Sequence, residues 1–95
     1  MKKKIKEFEN KMSNLETFRL EINNIDTQIF ELLNQRHSVV KKIGQYKKEN
    51  NIPVLDQSRE KIIETKIKTK YQGQEGEYIN KIYKEVMNQS KNIQY

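Results

Sequence analysis

The chain has 95 residues, a formal net charge of +6, equal hydrophobic and charged fractions of 34%, and no cysteine. This allows one small domain with a limited core, excludes disulfides and thiolate chemistry, and makes association with a second copy a reasonable expectation. The opening stretch, residues 1–14, begins with lysines but no apolar run follows, so it reads as neither signal peptide nor membrane anchor, and a cytoplasmic protein is expected.

The positive balance permits binding to nucleic acid, an anionic membrane or small anions. The lysines are scattered through the chain rather than gathered in a block, which favours a solvated basic surface.

The first helix is announced by Ser13-Asn14-Leu15-Glu16, which fits the capping-box pattern. Residues 1–13 are read as an N-terminal extension and 14–95 as the helical domain. From Leu15 the apolar residues run Leu15, Phe18, Ile22, Ile25, Ile29, Leu32, Val39, Ile43 and Tyr46, largely at three- and four-residue steps that mark one helical face. Asn50-Asn51-Ile52-Pro53 ends the stretch, because Pro53 cannot continue the hydrogen-bond ladder and Ile52 is pushed toward extended geometry. A helix from Asn14 to Asn50 would span ~55 Å, whereas a compact globule of this size has a radius of gyration of only ~12 Å. Such a helix must bury its seam against another chain, so an intertwined dimer is expected.

Asp56 is a plausible N-cap for the second helix, with Arg59 and Glu60 in its first turn and Ile62, Ile63 and Ile67 behind. That helix ends near Tyr71-Gln72-Gly73, where Gly73 or Gly76 can take left-handed geometry. The third helix carries Ile79, Ile82, Tyr83, Val86, Met87 and Ile93. The fold class is all-α, three helices per protomer with a very long first one.

Each helix places polar groups on its apolar stripe. Arg36 stands where the first seam calls for leucine, and a cation directed inward costs several kcal/mol unless it is paired or binds an anion. Lys47 follows eleven residues later, three turns on and only ~20° around the helix, about 16 Å along the axis. Gly44 lies between them, where glycine costs ~1 kcal/mol relative to alanine. Its benefit is close approach of another backbone or of a ligand. On the second helix Asp56 and Glu60 start the stripe of Ile63 and Ile67, with Arg59 at its flank. On the third, Tyr83, Val86, Ser90 and Ile93 follow one seam, with Met87 and Gln94 at its edge. Ser90 and Gln94 are neighbours four residues apart. Arg36, Lys47, Asp56, Glu60, Ser90 and Gln94 thus form one inward-facing polar set, too costly for so small a core unless it binds something. Arg19 lies ~25 Å from Arg36 along the axis and about 100° out of phase, so within a straight helix it serves a different place. In a dimer it could reach the partner's pocket.

This set resembles the small all-helical chorismate mutases over Leu15 to Gln94. The matching residues are Leu15-Glu16-x-x-Arg19, Ile22-x-x-Ile25-Asp26, Leu32-Leu33-x-x-Arg36, Ile43-Gly44-x-x-Lys47, Pro53-Val54-x-Asp56-x-x-Arg59-Glu60 and Ser90-x-x-x-Gln94. The resemblance implies an intertwined homodimer with two equivalent sites and the Claisen rearrangement of chorismate to prephenate, which feeds phenylalanine and tyrosine synthesis. That reaction is pericyclic and needs no nucleophile, metal or cofactor. The resemblance further implies that Arg36 and the partner's Arg19 hold the two substrate carboxylates. Lys47 would contact the ether oxygen and a carboxylate, and Gln94 would donate to the same oxygen. Glu60, with the backbone near Asp56, would bind the ring hydroxyl, while Arg59 and Ser90 complete the wall. Catalysis would come from holding the reactive conformer and stabilising charge on the breaking ether oxygen.

Two features depart from the pattern. The chain ends at Tyr95, one residue after Gln94, and the first dozen residues have no counterpart. With no further segment, a monofunctional enzyme without its own feedback site is expected. The rival readings are an isochorismate-pyruvate lyase, similar in fold and pocket, a basic helical dimer that binds nucleic acid, and a purely structural coiled coil. Neither helix beside Gly73 to Gly76 carries a run of Arg, Asn and Gln suited to base edges, so no nucleic-acid partner is expected. His37, the sole histidine, has no local Cys or His at metal-ligand spacing and is read as a surface residue.

Overall fold

A computed structural model describes residues 2–54 and 57–94, with side chains from Lys4 onward, and the regular structure there is entirely helical. Three helices follow in order: α1 (Lys2–Glu49), α2 (Gln57–Lys70) and α3 (Gln74–Gln94). The periodicity of the sequence predicts all three. The chain divides into two compact units, Met1–Arg36 and His37–Tyr95.

The first unit is the N-terminal part of α1. Its helix begins at Lys2, well before the Ser13 capping pattern. Ser13 is an interior helical residue whose carbonyl accepts a bond from Thr17 Oγ1 at 3.0 Å. The local cap signal is outweighed because the apolar steps continue upstream through Ile5, Phe8 and Met12, giving the helix a reason to extend. Within this unit every described side chain is exposed except Asp26 and Arg36, which are half-buried. The apolar seam is therefore uncovered, with Phe18 58% and Ile25 54% exposed, while the arginine on that seam is sheltered.

The second unit contains the end of α1 together with α2 and α3. Asn50 N–H donates to the Tyr46 carbonyl at 3.0 Å and Ile52 N–H to the Lys47 carbonyl at 2.8 Å. With Asn51 at φ 56°, this is a Schellman-type ending in which asparagine takes the left-handed position. The helix thus closes through Asn51 before Pro53 is reached. Asp56, the expected N-cap of α2, lies outside the described residues. Glu60, Ile63, Glu64 and Ile67 are the half-buried positions of α2, a single stripe. Gly73 has φ 72° and makes the α2–α3 turn, whereas Gly76 belongs to the first turns of α3.

The buried face of α3 runs through Gly76, Asn80, Met87 and Ser90, with Ile79, Tyr83, Val86, Lys91 and Gln94 half-buried. Its centre is rotated from the sequence expectation: Met87 lies on the seam, while Ile82 and Ile93 are exposed. Only Val40 and Met87 are buried apolar side chains among the described residues. Burying a residue of this size stabilises by roughly 1.5–3 kcal/mol, so two supply little against chain entropy.

Candidate active site

The organising residue is Lys47, half-buried in the last turn of α1. Its backbone carbonyl takes the Ile52 N–H that ends the helix. Its Nζ donates to the Val54 carbonyl at 3.1 Å and to Gln94 Oε1 at 3.0 Å. An ammonium carries three N–H donors, so one remains unassigned. Among the described residues no carboxylate neutralises Lys47. Two neutral carbonyl oxygens satisfy two of its donors without offsetting a positive charge, which suits the place to an anion.

Gln94 is oriented by the same contact. A lysine has no acceptor, so the amide atom facing Nζ must be the oxygen. The Gln94 Nε2 then donates to the Ser90 carbonyl at 3.2 Å, leaving its second N–H as a neutral donor whose strength is independent of pH. Ser90 is buried, and its hydroxyl donates to the Val86 carbonyl at 2.8 Å. It therefore braces α3 four residues below Gln94.

Gly44, three residues before Lys47, is buried against the end of α3. A Cβ there would stand 3.2 Å from Gln94 Cγ and 3.3 Å from Gln94 Cα. The absent side chain lets the Gln94 backbone approach α1, and this approach brings the amide within reach of Lys47. The expected close approach at Gly44 is thus met by α3's own backbone.

Glu60 on α2 is half-buried and paired with Lys91 at 2.6 Å. The contact runs from Lys91 Nζ to Oε1, and a carboxylate has a second oxygen able to accept a hydroxyl proton. Lys91 was not among the residues singled out by sequence: it follows Met87 by four residues on the same face, but a lysine in the last turn of a helix reads as solvated, and its pairing with Glu60 reveals it. Arg59 is exposed and engaged by neighbouring groups. In the first unit Arg19 is exposed, and Arg36 is half-buried and likewise engaged. The structure therefore joins Lys47, Gln94, Ser90 and Gly44 in one cluster and pairs Glu60 with Lys91, while Asp56 lies outside the described residues. Among the described residues no cluster of His, Cys, Asp and Glu could hold a metal ion, and no helix is long and apolar enough to cross a membrane.

The sequence model for chorismate mutase type II matches residues 18–95. The chain belongs to that family. Three bifunctional chorismate mutase/prephenate dehydratases are similar to it. That of Buchnera aphidicola subsp. Schizaphis graminum is 46% identical over 55 residues, 58% of this chain and 14% of that protein. The one from Buchnera aphidicola subsp. Acyrthosiphon pisum is 40% identical over 75 residues, 77% of this chain and 20% of that protein. The Aquifex aeolicus protein is 41% identical over 56 residues, 59% of this chain and 16% of its own length. The chain thus spans a fifth or less of the length of these relatives. The chorismate mutase type II match takes in Arg19, Arg36, Gly44, Lys47, Glu60, Ser90 and Gln94, and it begins after the first sixteen residues of α1.

Proposed function

We propose that this chain catalyses the rearrangement of chorismate to prephenate, in the cytoplasm, as a step of phenylalanine and tyrosine biosynthesis. The observation that carries the reading is the Lys47 ammonium, clamped by the Val54 carbonyl and Gln94 and lacking a described carboxylate, in a chain of the chorismate mutase type II family. Chorismate is a dianion whose ether oxygen gains negative charge as its bond breaks. A fixed ammonium and an amide N–H beside that oxygen act in the transition state without prior reorganisation. Removing one such donor typically costs 10²–10³ in rate, about 2.7–4 kcal/mol.

The remaining roles follow the same reading. Arg36 holds one carboxylate through its planar fork and the partner subunit's Arg19 holds the other. Glu60 accepts the ring hydroxyl through the oxygen not committed to Lys91, and the Asp56 backbone is assigned to the same hydroxyl. Arg59 and Ser90 complete the wall. No cofactor is required.

The homodimer is supported by the uncovered seam of α1, on which Leu15, Phe18, Ile22, Ile25, Ile29, Leu32, Val39 and Ile43 are all exposed. A self-complementary patch of this kind is what a two-fold interface buries. Incubating purified protein with chorismate tests the activity: loss of chorismate with appearance of prephenate is expected. Salicylate and pyruvate from isochorismate, with no prephenate from chorismate, would move the assignment to a lyase.

A further inference from the structure

We infer that the first three turns of α1 form a strap across the mouth of the partner subunit's site. This rests on the composite-site reading above. The apolar seam does not stop where the family match begins at residue 18. It continues upstream through Met12, Phe8 and Ile5 at steps of four and three, and these are 41%, 64% and 59% exposed. A helical stripe that continues a subunit interface without a break is most simply part of the same interface.

Two-fold symmetry fixes what that stripe meets. If Arg19 of one copy reaches the partner's Lys47, then Lys47 reaches the partner's Arg19, and the two α1 helices run antiparallel. The partner's α1 ends at Glu49, two residues after Lys47. Helix upstream of Arg19 therefore soon overhangs the partner's α1 and lies against the connection that follows. Met12 is about 10 Å from Arg19 along the axis, Phe8 about 16 Å and Ile5 about 21 Å. The connection offers Ile52, 43% exposed, beside Pro53 and the half-buried Val54, whose carbonyl holds Lys47. Met12, the nearest of the three along the axis, thus finds an apolar counterpart at the rim of the site, with Phe8 further out, and pinning that connection keeps the Lys47 clamp closed. Residues 2–14 also carry five lysines against two glutamates, which adds positive potential where a dianion enters.

The chain has no cysteine, so introduced cysteines report the contact directly. Phe8→Cys/Ile52→Cys and Met12→Cys/Ile52→Cys variants of the full chain are oxidised and run on a non-reducing gel. In parallel, a chain lacking residues 2–12 is assayed for chorismate turnover and sized by gel filtration. A covalent dimer in at least one double variant is expected, together with a rise of about tenfold in KM and little change in kcat for the shortened chain. An active, dimeric protein that gives no cross-link in either variant, or whose KM is unmoved by the deletion, would overturn the strap while leaving the composite site standing. A full-length protein that is active but monomeric would overturn both.

Discussion

Gln94 and Gly44 are in backbone contact: a Cβ on Gly44 would stand 3.3 Å from Gln94 Cα. Adding that atom in Gly44→Ala sets two effects against each other. Helix propensity gains ~1 kcal/mol, while the end of α3 must retreat by a few tenths of an ångström. The retreat separates Gln94 from Lys47, so turnover should fall by about tenfold while the unfolding temperature holds or rises. A variant that keeps full kcat/KM would show that this contact does not set the site's geometry.

Lys47→Met keeps the aliphatic stem and deletes the ammonium. We expect kcat/KM to drop on the order of 10²–10³-fold with helical content retained. Lys47→Arg should recover little, because a planar fork cannot reproduce a point donor shared between the Val54 carbonyl and Gln94. Steady-state kinetics with circular dichroism on each variant provide the check.

The amide of Gln94 does not titrate, so activity should stay level from about pH 6 to about pH 8. Gln94→Glu makes the donor conditional. A carboxyl group donates only when protonated, so the variant should be most active in acid and lose activity as pH rises. A wild-type collapse between those pH values with an intact fold would count against an amide donor at this position.

Arg19→Ala and Arg36→Ala should each be inactive alone and partly active when mixed. In an equal mixture half of the dimers are heterodimers, each with one intact site, which sets the recovery at about one quarter of wild-type activity. Subunit exchange followed by a chorismate assay measures it, and no recovery after demonstrated exchange would contradict a shared pocket.

At the edge of the half-buried stripe of α2, Lys68 Nζ contacts Glu64 Oε1 at 2.9 Å. The hydrogen bond from Lys68, then its charge and those of Lys84 and Lys61, hold the Glu64 carboxyl below its ordinary value of 4.5. A carboxyl depressed in the fold stabilises above its unfolded value and loses that contribution as pH falls through the folded one. Lys68→Ala should therefore melt slightly earlier than wild type near neutrality, and the difference should vanish in acid and shrink in salt. Melting temperatures across pH and ionic strength decide it.

Much of the architecture was legible because α1, α2 and α3 each keep a three- and four-residue apolar step. The polar intrusions were legible for the same reason, since Arg36, Lys47, Glu60, Ser90 and Gln94 all prove at least half-buried. Other features depend on information the period does not hold. The start of α1 was misread because a capping box is a local signal, while Ile5, Phe8 and Met12 extend the helix past it. The burial of Asn80 and Met87 on α3 is a matter of tertiary packing, and the Glu60–Lys91 pair joins positions 31 residues apart on two helices. Asn51 in the left-handed region, φ 56°, could have been weighed as a helix terminator, since asparagine tolerates that conformation better than most residues.

Lys47 terminates α1 with its carbonyl and holds the Val54 carbonyl and Gln94 together with its side chain. One residue's register thus governs the helix end and, on the proposed reading, the chemistry as well. Loosening of the Asn50–Val54 connection on warming would release Val54 and the ammonium at once, long before the remaining helical turns give way. Heat inactivation should accordingly run ahead of the loss of far-ultraviolet signal, making enzymatic decay the more sensitive thermometer for this corner of the molecule.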